Sequence, residues 1–138
     1  MNELDNLVKI NKLKTEPADA SEFAGMLRAG DMKLKDVLLE GLSEDSQFSL
    51  AYGAAHAFSL AAMRWHGYRS DSRYLVFQCL QHTLELDRAK WRVLDNCHKA
   101  RNLAEYEGHL EVNPQLLKEL ISITEEIQTL VKALAPIE

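Results

Sequence analysis

Between Ser46 and Met63 the chain carries no Asp, Glu, Lys or Arg. Its apolar residues, among them Phe48, Ala51, Ala54, Ala55, Phe58, Ala61 and Ala62, do not keep to one side of a helix but run nearly all the way round it. A helix of that kind has to be buried among other helices. The many alanines let those neighbours come close. Gln47, Ser49, His56 and Ser59 interrupt the stretch, so it reads as a core helix rather than a membrane span. Ser43-Glu44-Asp45 supplies a cap and acids for its first turn, and Gly67 supplies a stop after His66.

The rest of the chain also reads as helices. Leu4, Leu7, Val8, Ile10 and Leu13 mark a short amphipathic segment that stops before Pro17. Asp19 or Ser21 caps the next, with Phe23, Met26 and Leu27 on one face. Gly30-Asp31 is expected to break or kink it before Leu34, Val37, Leu38 and Leu42. Ser70 or Asp71 caps a helix running through Leu86, and Asp87 caps one from about Arg88 to Tyr106, which Gly108 ends. Asn113-Pro114 opens a last helix striped by Leu116, Leu117, Leu120, Ile121, Ile123, Ile127, Leu130, Val131 and Leu134. Residues 1–138 are therefore expected to form one domain, with N-terminal helices over 1–42 and a core bundle over 43–134.

Three prolines and six glycines in 138 residues are too few for a turn-rich β sandwich. The acidic start, Met1-Asn2-Glu3-Leu4-Asp5, lacks the apolar run of a signal peptide. Two cysteines make no disulfide framework, and a cytoplasmic location is expected. The net charge of −5 argues against a surface that coats nucleic acid as a whole. The charge is uneven, however. Residues 64–101 hold eight Lys and Arg against four acids, between two acidic flanks. That excess is either a set of solvated faces, or a local anion site or basic patch.

Within the 88–106 helix, Arg101 falls in the same arc as Leu94, Cys97 and Ala104. Burying an unpaired cation costs several kcal/mol, so Arg101 must be paired or must face a partner or ligand. His98, Asn102, Glu105 and Tyr106 cluster near it on the helix surface. One reading is a structural Arg101–Glu105 pair at the helix end. The other is an anion or RNA-phosphate contact by Arg101. The central helix has a polar strip of its own, Ser49, Tyr52, His56, Ser59 and His66. His56 becomes a candidate base if it faces Arg101. Cys79-x-x-His82 and Cys97-His98 match no zinc pattern, and core packing accounts for both cysteines, so no metal and no cofactor is expected. No glycine-rich phosphate loop and no hydrolase motif occurs.

The stretches Ala51-Tyr52-Gly53-Ala54-Ala55-His56-Ala57-Phe58, His66-Gly67-Tyr68-Arg69, Leu94-Asp95 and Arg101-Asn102-Leu103-Ala104-Glu105-Tyr106-Glu107-Gly108 together resemble the HEPN superfamily. More narrowly they are similar to small bacterial stand-alone HEPN-like proteins with an Arg-Asn-x-x-x-Tyr-x-Gly element. The resemblance spans about residues 40–134. It implies an all-α, up-and-down antiparallel bundle of four or five helices that forms a homodimer with its arginine-bearing helices face to face. It also implies a toxin–antitoxin or phage-defence component that contacts RNA or a nucleotide through Arg101 and Asn102. An antitoxin or a nucleotidyltransferase that modifies a tyrosine would be its partner, and Tyr106 is the candidate tyrosine. The family's ribonuclease motif places a histidine after four to six residues beyond the arginine. Here Tyr106 stands at that position and His109 falls beyond Gly108. Tyrosine, with an ordinary pKa near 10, is a poor general base at neutral pH. The alternative implied function is therefore a non-catalytic module that binds a protein or a nucleotide. Arg101, Asn102 and Tyr106 are the catalytic candidates, and His98, Glu105, His56 and Tyr52 the binding candidates.

Overall fold

A computed structural model describes residues 2–108 and 112–137. His109 lies outside the described residues. The described chain is mostly helical: α1 (Asn2–Lys9), α2 (Ala20–Val37), α3 (Glu44–Trp65), α4 (Arg73–Gln78), α5 (Leu80–Thr83), α6 (Arg88–Glu107) and α7 (Pro114–Lys132), with two short strands, β1 (Lys14–Thr15) and β2 (Tyr68–Arg69). Among the described residues no helix is long and apolar enough to cross a membrane.

The charge-free helix is the centre. Phe48, Ala51, Tyr52, Ala54, Ala55, Phe58, Ala61 and Ala62 of α3 are all buried. Its most extensive contacts are with α2 and α7. The stripe of α7, Leu117, Leu120, Ile123, Ile127 and Val131, closes the same core. A smaller core of Leu4, Leu13, Met63, Tyr68, Leu75, Val76 and Cys79 lies beneath α1. Helix ends fall where the capping chemistry puts them. The Ser43 hydroxyl accepts from the Ser46 amide, and Asp87 accepts from the Ala89 amide. Asn113 accepts from Gln115 and Leu116 ahead of Pro114 at the start of α7. Gly108 takes a left-handed φ of 77° at the end of α6.

The structure departs from the sequence reading at two helix ends, α1 stopping at Lys9 before Ile10 and Leu13 and α2 at Val37 before Leu38 and Leu42, and at three further places. Gly30 does not break α2, which runs unbroken from Ala20 to Val37. Its glycine serves close approach instead: a Cβ added there would lie 2.6 Å from the Phe58 ring. The helix expected through Leu86 is two pieces, capped by Ser72 rather than Ser70 or Asp71 and interrupted at Cys79. The third is the antiparallel ladder between β1 and β2, with Lys14 opposite Arg69 and Thr15 opposite Tyr68. Two residues are too few to show an alternating pattern.

Arg64 fastens that ladder to the core. Its side chain is 2% exposed, at the last turn of α3. It donates to the backbone oxygens of Glu16 at 2.8 Å and Pro17 at 2.7 Å, and its Nε donates to Glu22 at 2.5 Å. Arg69 bonds the same two acids, Glu16 at 2.7 Å and Glu22 at 2.6 Å. A buried guanidinium is tolerated only when its donors are filled, and here backbone oxygens and carboxylates fill them. The hydrogen bond from Arg64 is the main reason Glu22 has a pKa below the usual glutamate value.

Two substitutions test this packing. Helix propensity alone favours Gly30→Ala by about 1 kcal/mol, whereas overpacking costs about 1–3 kcal/mol. The contact with the buried Phe58 ring decides the sign, so urea unfolding should show a net loss; a gain in stability would contradict the close approach. Arg64→Ala leaves the backbone oxygens of Glu16 and Pro17 without their donor and Glu22 with Arg69 alone, and should cost about 3 kcal/mol. A change within ~0.5 kcal/mol would show that the clasp carries no load.

Candidate nucleic-acid interface

Tyr52 is the hub of the site. It sits on α3, 1% exposed, with Phe48 roughly parallel at 6.4 Å and Phe77 of α4 edge-on at 5.5 Å. Two arginines lie over its ring. The guanidinium carbon of Arg101, from α6, is 4.9 Å from the ring centroid, and that of Arg73, from α4, is 5.7 Å. An aromatic face attracts cations at that range. Among the described residues neither arginine has a carboxylate partner. The structural Arg101–Glu105 pair is not formed: Glu105 is exposed, and Arg101 takes the tyrosine ring instead.

Of the other six cations of the basic middle third, four are ion-paired, and Arg88 and Arg92 have no carboxylate partner among the described residues. Arg64 and Arg69 go to Glu16 and Glu22, Lys90 to Glu126, and Lys99 to Asp95 at 3.0 Å. Asp95 is the acid nearest His98 along α6. Lys99 neutralises one of its oxygens, and the other, Oδ1, is enclosed without a hydrogen-bond partner. Arg73 and Arg101 take part in none of these pairs.

A polar chain leads outward from the hub. The Tyr52 hydroxyl lies 2.9 Å from His98 Nδ1, and His98 Nε2 lies 3.1 Å from the Asn102 side-chain amide. A neutral imidazole carries one ring proton, so the two contacts are coupled. If the amide nitrogen of Asn102 donates, the ring proton sits on Nδ1 and the buried phenol proton has no acceptor here. With the amide oxygen turned inward, Tyr52 donates to Nδ1 and Nε2 donates to Asn102, which satisfies every proton. We assign the second arrangement. Burial raises the pKa of Tyr52, although Arg73 and Arg101 both oppose that shift.

His56 does not join this chain. It meets Phe77 edge-on at 6.1 Å, and the cations that bear on it are Arg73 and Lys33 rather than Arg101. Burial first, then those two charges, hold its pKa at about 4, so it is neutral at pH 7. Tyr106 is 93% exposed at the far end of α6 and stands apart from the cluster, as does the exposed Glu105. The polar strip of α3 also disperses. Ser59 bonds the Ala55 carbonyl at 2.6 Å, and His66 bonds the Thr83 carbonyl at 2.9 Å.

Arg73, Lys33 and Phe77 were not singled out in the sequence. Arg73 belongs to the basic excess of residues 64–101, but its short helix has no periodicity that points it at Tyr52. No nucleophile emerges from the cysteines: burial pushes Cys79 up to about 11 and Cys97 up to about 12. Among the described residues no group of three His, Cys, Asp or Glu is placed to hold a metal ion.

What the arrangement can do chemically is hold an anion. Among the described residues it offers two arginines without a carboxylate partner, beside the Tyr52–His98–Asn102 chain. Compared with known protein families, with curated proteins and with solved structures, the chain matches none.

The depressed pKa of His56 has a pH consequence. The unfolded chain binds a proton at the ordinary value of 6.5, and the folded chain only near 4. This contribution to stability is present above pH 6.5 and is lost as pH falls towards 4. An NMR titration should place the His56 midpoint near 4; a midpoint near 6.5 would mean that the ring is not held as described.

Proposed function

We propose that this chain is a HEPN-like antiparallel helical bundle that contacts the phosphates of RNA, or of a nucleotide, through Arg101 and Arg73. The observation that carries the reading is the convergence of two unpaired arginines, from separate helices, on one buried tyrosine ring. Unpaired arginines held at fixed positions suit phosphate oxygens better than a mobile lysine would. The Tyr52–His98–Asn102 chain fixes the turn of α6 from which Arg101 projects.

The proposal extends to the setting that the resemblance implies. The protein acts in the cytoplasm as a toxin–antitoxin or defence component, with an antitoxin or nucleotidyltransferase as its natural partner. It forms a homodimer through the C-terminal half of α6. Support for that surface is the exposure of Leu103 and Tyr106 on a helix whose only fully buried side chains are Leu94 and Cys97.

Ribonuclease chemistry is a separate question from binding. Within one chain the tyrosine at the motif's histidine position is 93% exposed, and His98, one turn before Asn102, bonds the Asn102 amide. That placement favours a second reading, in which the same cluster binds RNA or a nucleotide without cutting it.

Fluorescence anisotropy with a labelled single-stranded RNA, without divalent metal, tests the binding claim. Arg101→Ala and Arg73→Ala should each weaken binding about tenfold and lower the salt slope by about 1. Unchanged affinity and slope in both variants would sink the phosphate reading. In the same tubes, cleavage by the wild type but not by Arg101→Ala would select the ribonuclease, and intact RNA with both would select the binding module. Light scattering at micromolar concentration should give the dimer mass, and a monomer would remove the interface from the proposal.

A further inference from the structure

We propose that Tyr74 is a stacking platform for an unpaired nucleobase, set beside the Arg73–Arg101 cluster, which makes single-stranded RNA the substrate class of this site. The inference rests on the phosphate reading above and adds a base subsite to it.

Tyr74 precedes two buried residues, Leu75 and Val76, that anchor α4 in the core, and Ser72 caps the helix from the other side. Its ring is therefore carried on a fixed backbone, yet the residue is 42% exposed. Two rings touch it. Trp91 lies 5.7 Å away at an interplanar angle of 72°, and His98 lies 6.0 Å away at 50°. Neither lies parallel to it. The tyrosine is thus braced from the side without being stacked, and a flat ligand can add the parallel contact that the protein does not make.

Its surroundings identify the ligand. Arg73 is the adjacent residue and reaches the Tyr52 ring, and His98 joins Tyr74 to the Tyr52–Asn102 chain. An aromatic ring beside unpaired arginines is the combination that single strands use, a charged path for phosphates with a π-face for a base. Asp95, three residues before His98, gives one carboxylate oxygen to Lys99. A base inside a duplex is already stacked on its neighbours, so only an unpaired one can lie on Tyr74. Bracing by Trp91 and His98 also removes much of the ordering cost of the side chain before the ligand arrives.

The test compares three labelled probes of equal length: single-stranded oligoadenylate, an abasic ribose-phosphate oligomer, and an RNA duplex. The wild type should bind oligoadenylate about tenfold more tightly than the abasic strand. Tyr74→Ala should abolish that preference while leaving abasic binding unchanged, which also shows that the variant is folded. Tyr74→Trp should keep the preference, and Arg101→Ala should weaken both single strands alike. A preference that survives Tyr74→Ala, an equal loss on both strands, or a duplex bound as well as oligoadenylate would overturn the platform. If the wild type binds the abasic strand but shows no preference, the platform alone fails. If it binds none of the probes, the phosphate reading fails and takes the platform with it.

Discussion

The absence of charge from Ser46 to Met63 is the constraint from which the rest of this structure follows. A helix with no polar side to offer water has to be covered, and α2, α4 and α7 are disposed around α3 to cover it. The alanines set how closely they come, and Gly30 lets α2 lie directly against the Phe58 ring. At the ends of α3 the rule changes. Arg64 brings a charge into the buried surface, and the β1–β2 ladder with Glu22 surrounds it. Nearer the N-terminal end Tyr52 turns a phenol outward from the same buried helix, and the site grows from that hydroxyl and ring.

The site is built on a difference between two groups of arginines. Arg64 and Arg69 have their donors filled by carboxylates and backbone oxygens, and they hold the fold together. Arg73 and Arg101 have no carboxylate partner among the described residues: both lie over the Tyr52 ring, and Arg73 also bonds its hydroxyl. A cation–π contact orients a guanidinium at modest energy and leaves its hydrogen-bond donors unspent. That is the state in which an arginine is ready for a phosphate. The exposed ring of Tyr74 lies next to that pair, so charge and stacking surface come together on one face of α4 and α6.

Much of this architecture was legible in the sequence, because helices announce themselves through period and caps. The α7 stripe and the caps at Ser43, Asp87 and Asn113 needed no tertiary information. What could not be read depends on contacts distant in sequence. Arg64 finds Pro17 from 47 residues away, and nothing local distinguishes it from a solvated helix-end arginine. Gly30 looks like a break because its real reason, the Phe58 ring, lies on another helix. At the site, the position of Arg101 inside an apolar arc correctly directed attention inward. Of the two readings open for it, the Arg101–Glu105 pair is not formed, and spacing along one helix cannot reveal a tyrosine on another. Arg73 and Tyr74 lie in a six-residue helix, too short for any pattern, and only the fold brings them to Tyr52 and Trp91.

The central claim is that Arg73 and Arg101 are held ready for phosphate while Arg64 and Arg69 are not. The most direct measurement is an NMR titration that follows the arginine Nε–H resonances as a short single-stranded RNA is added. The account predicts that the Arg73 and Arg101 signals move with saturation while those of Arg64 and Arg69 stay in place. Movement of all four together, or of neither Arg73 nor Arg101, would contradict it.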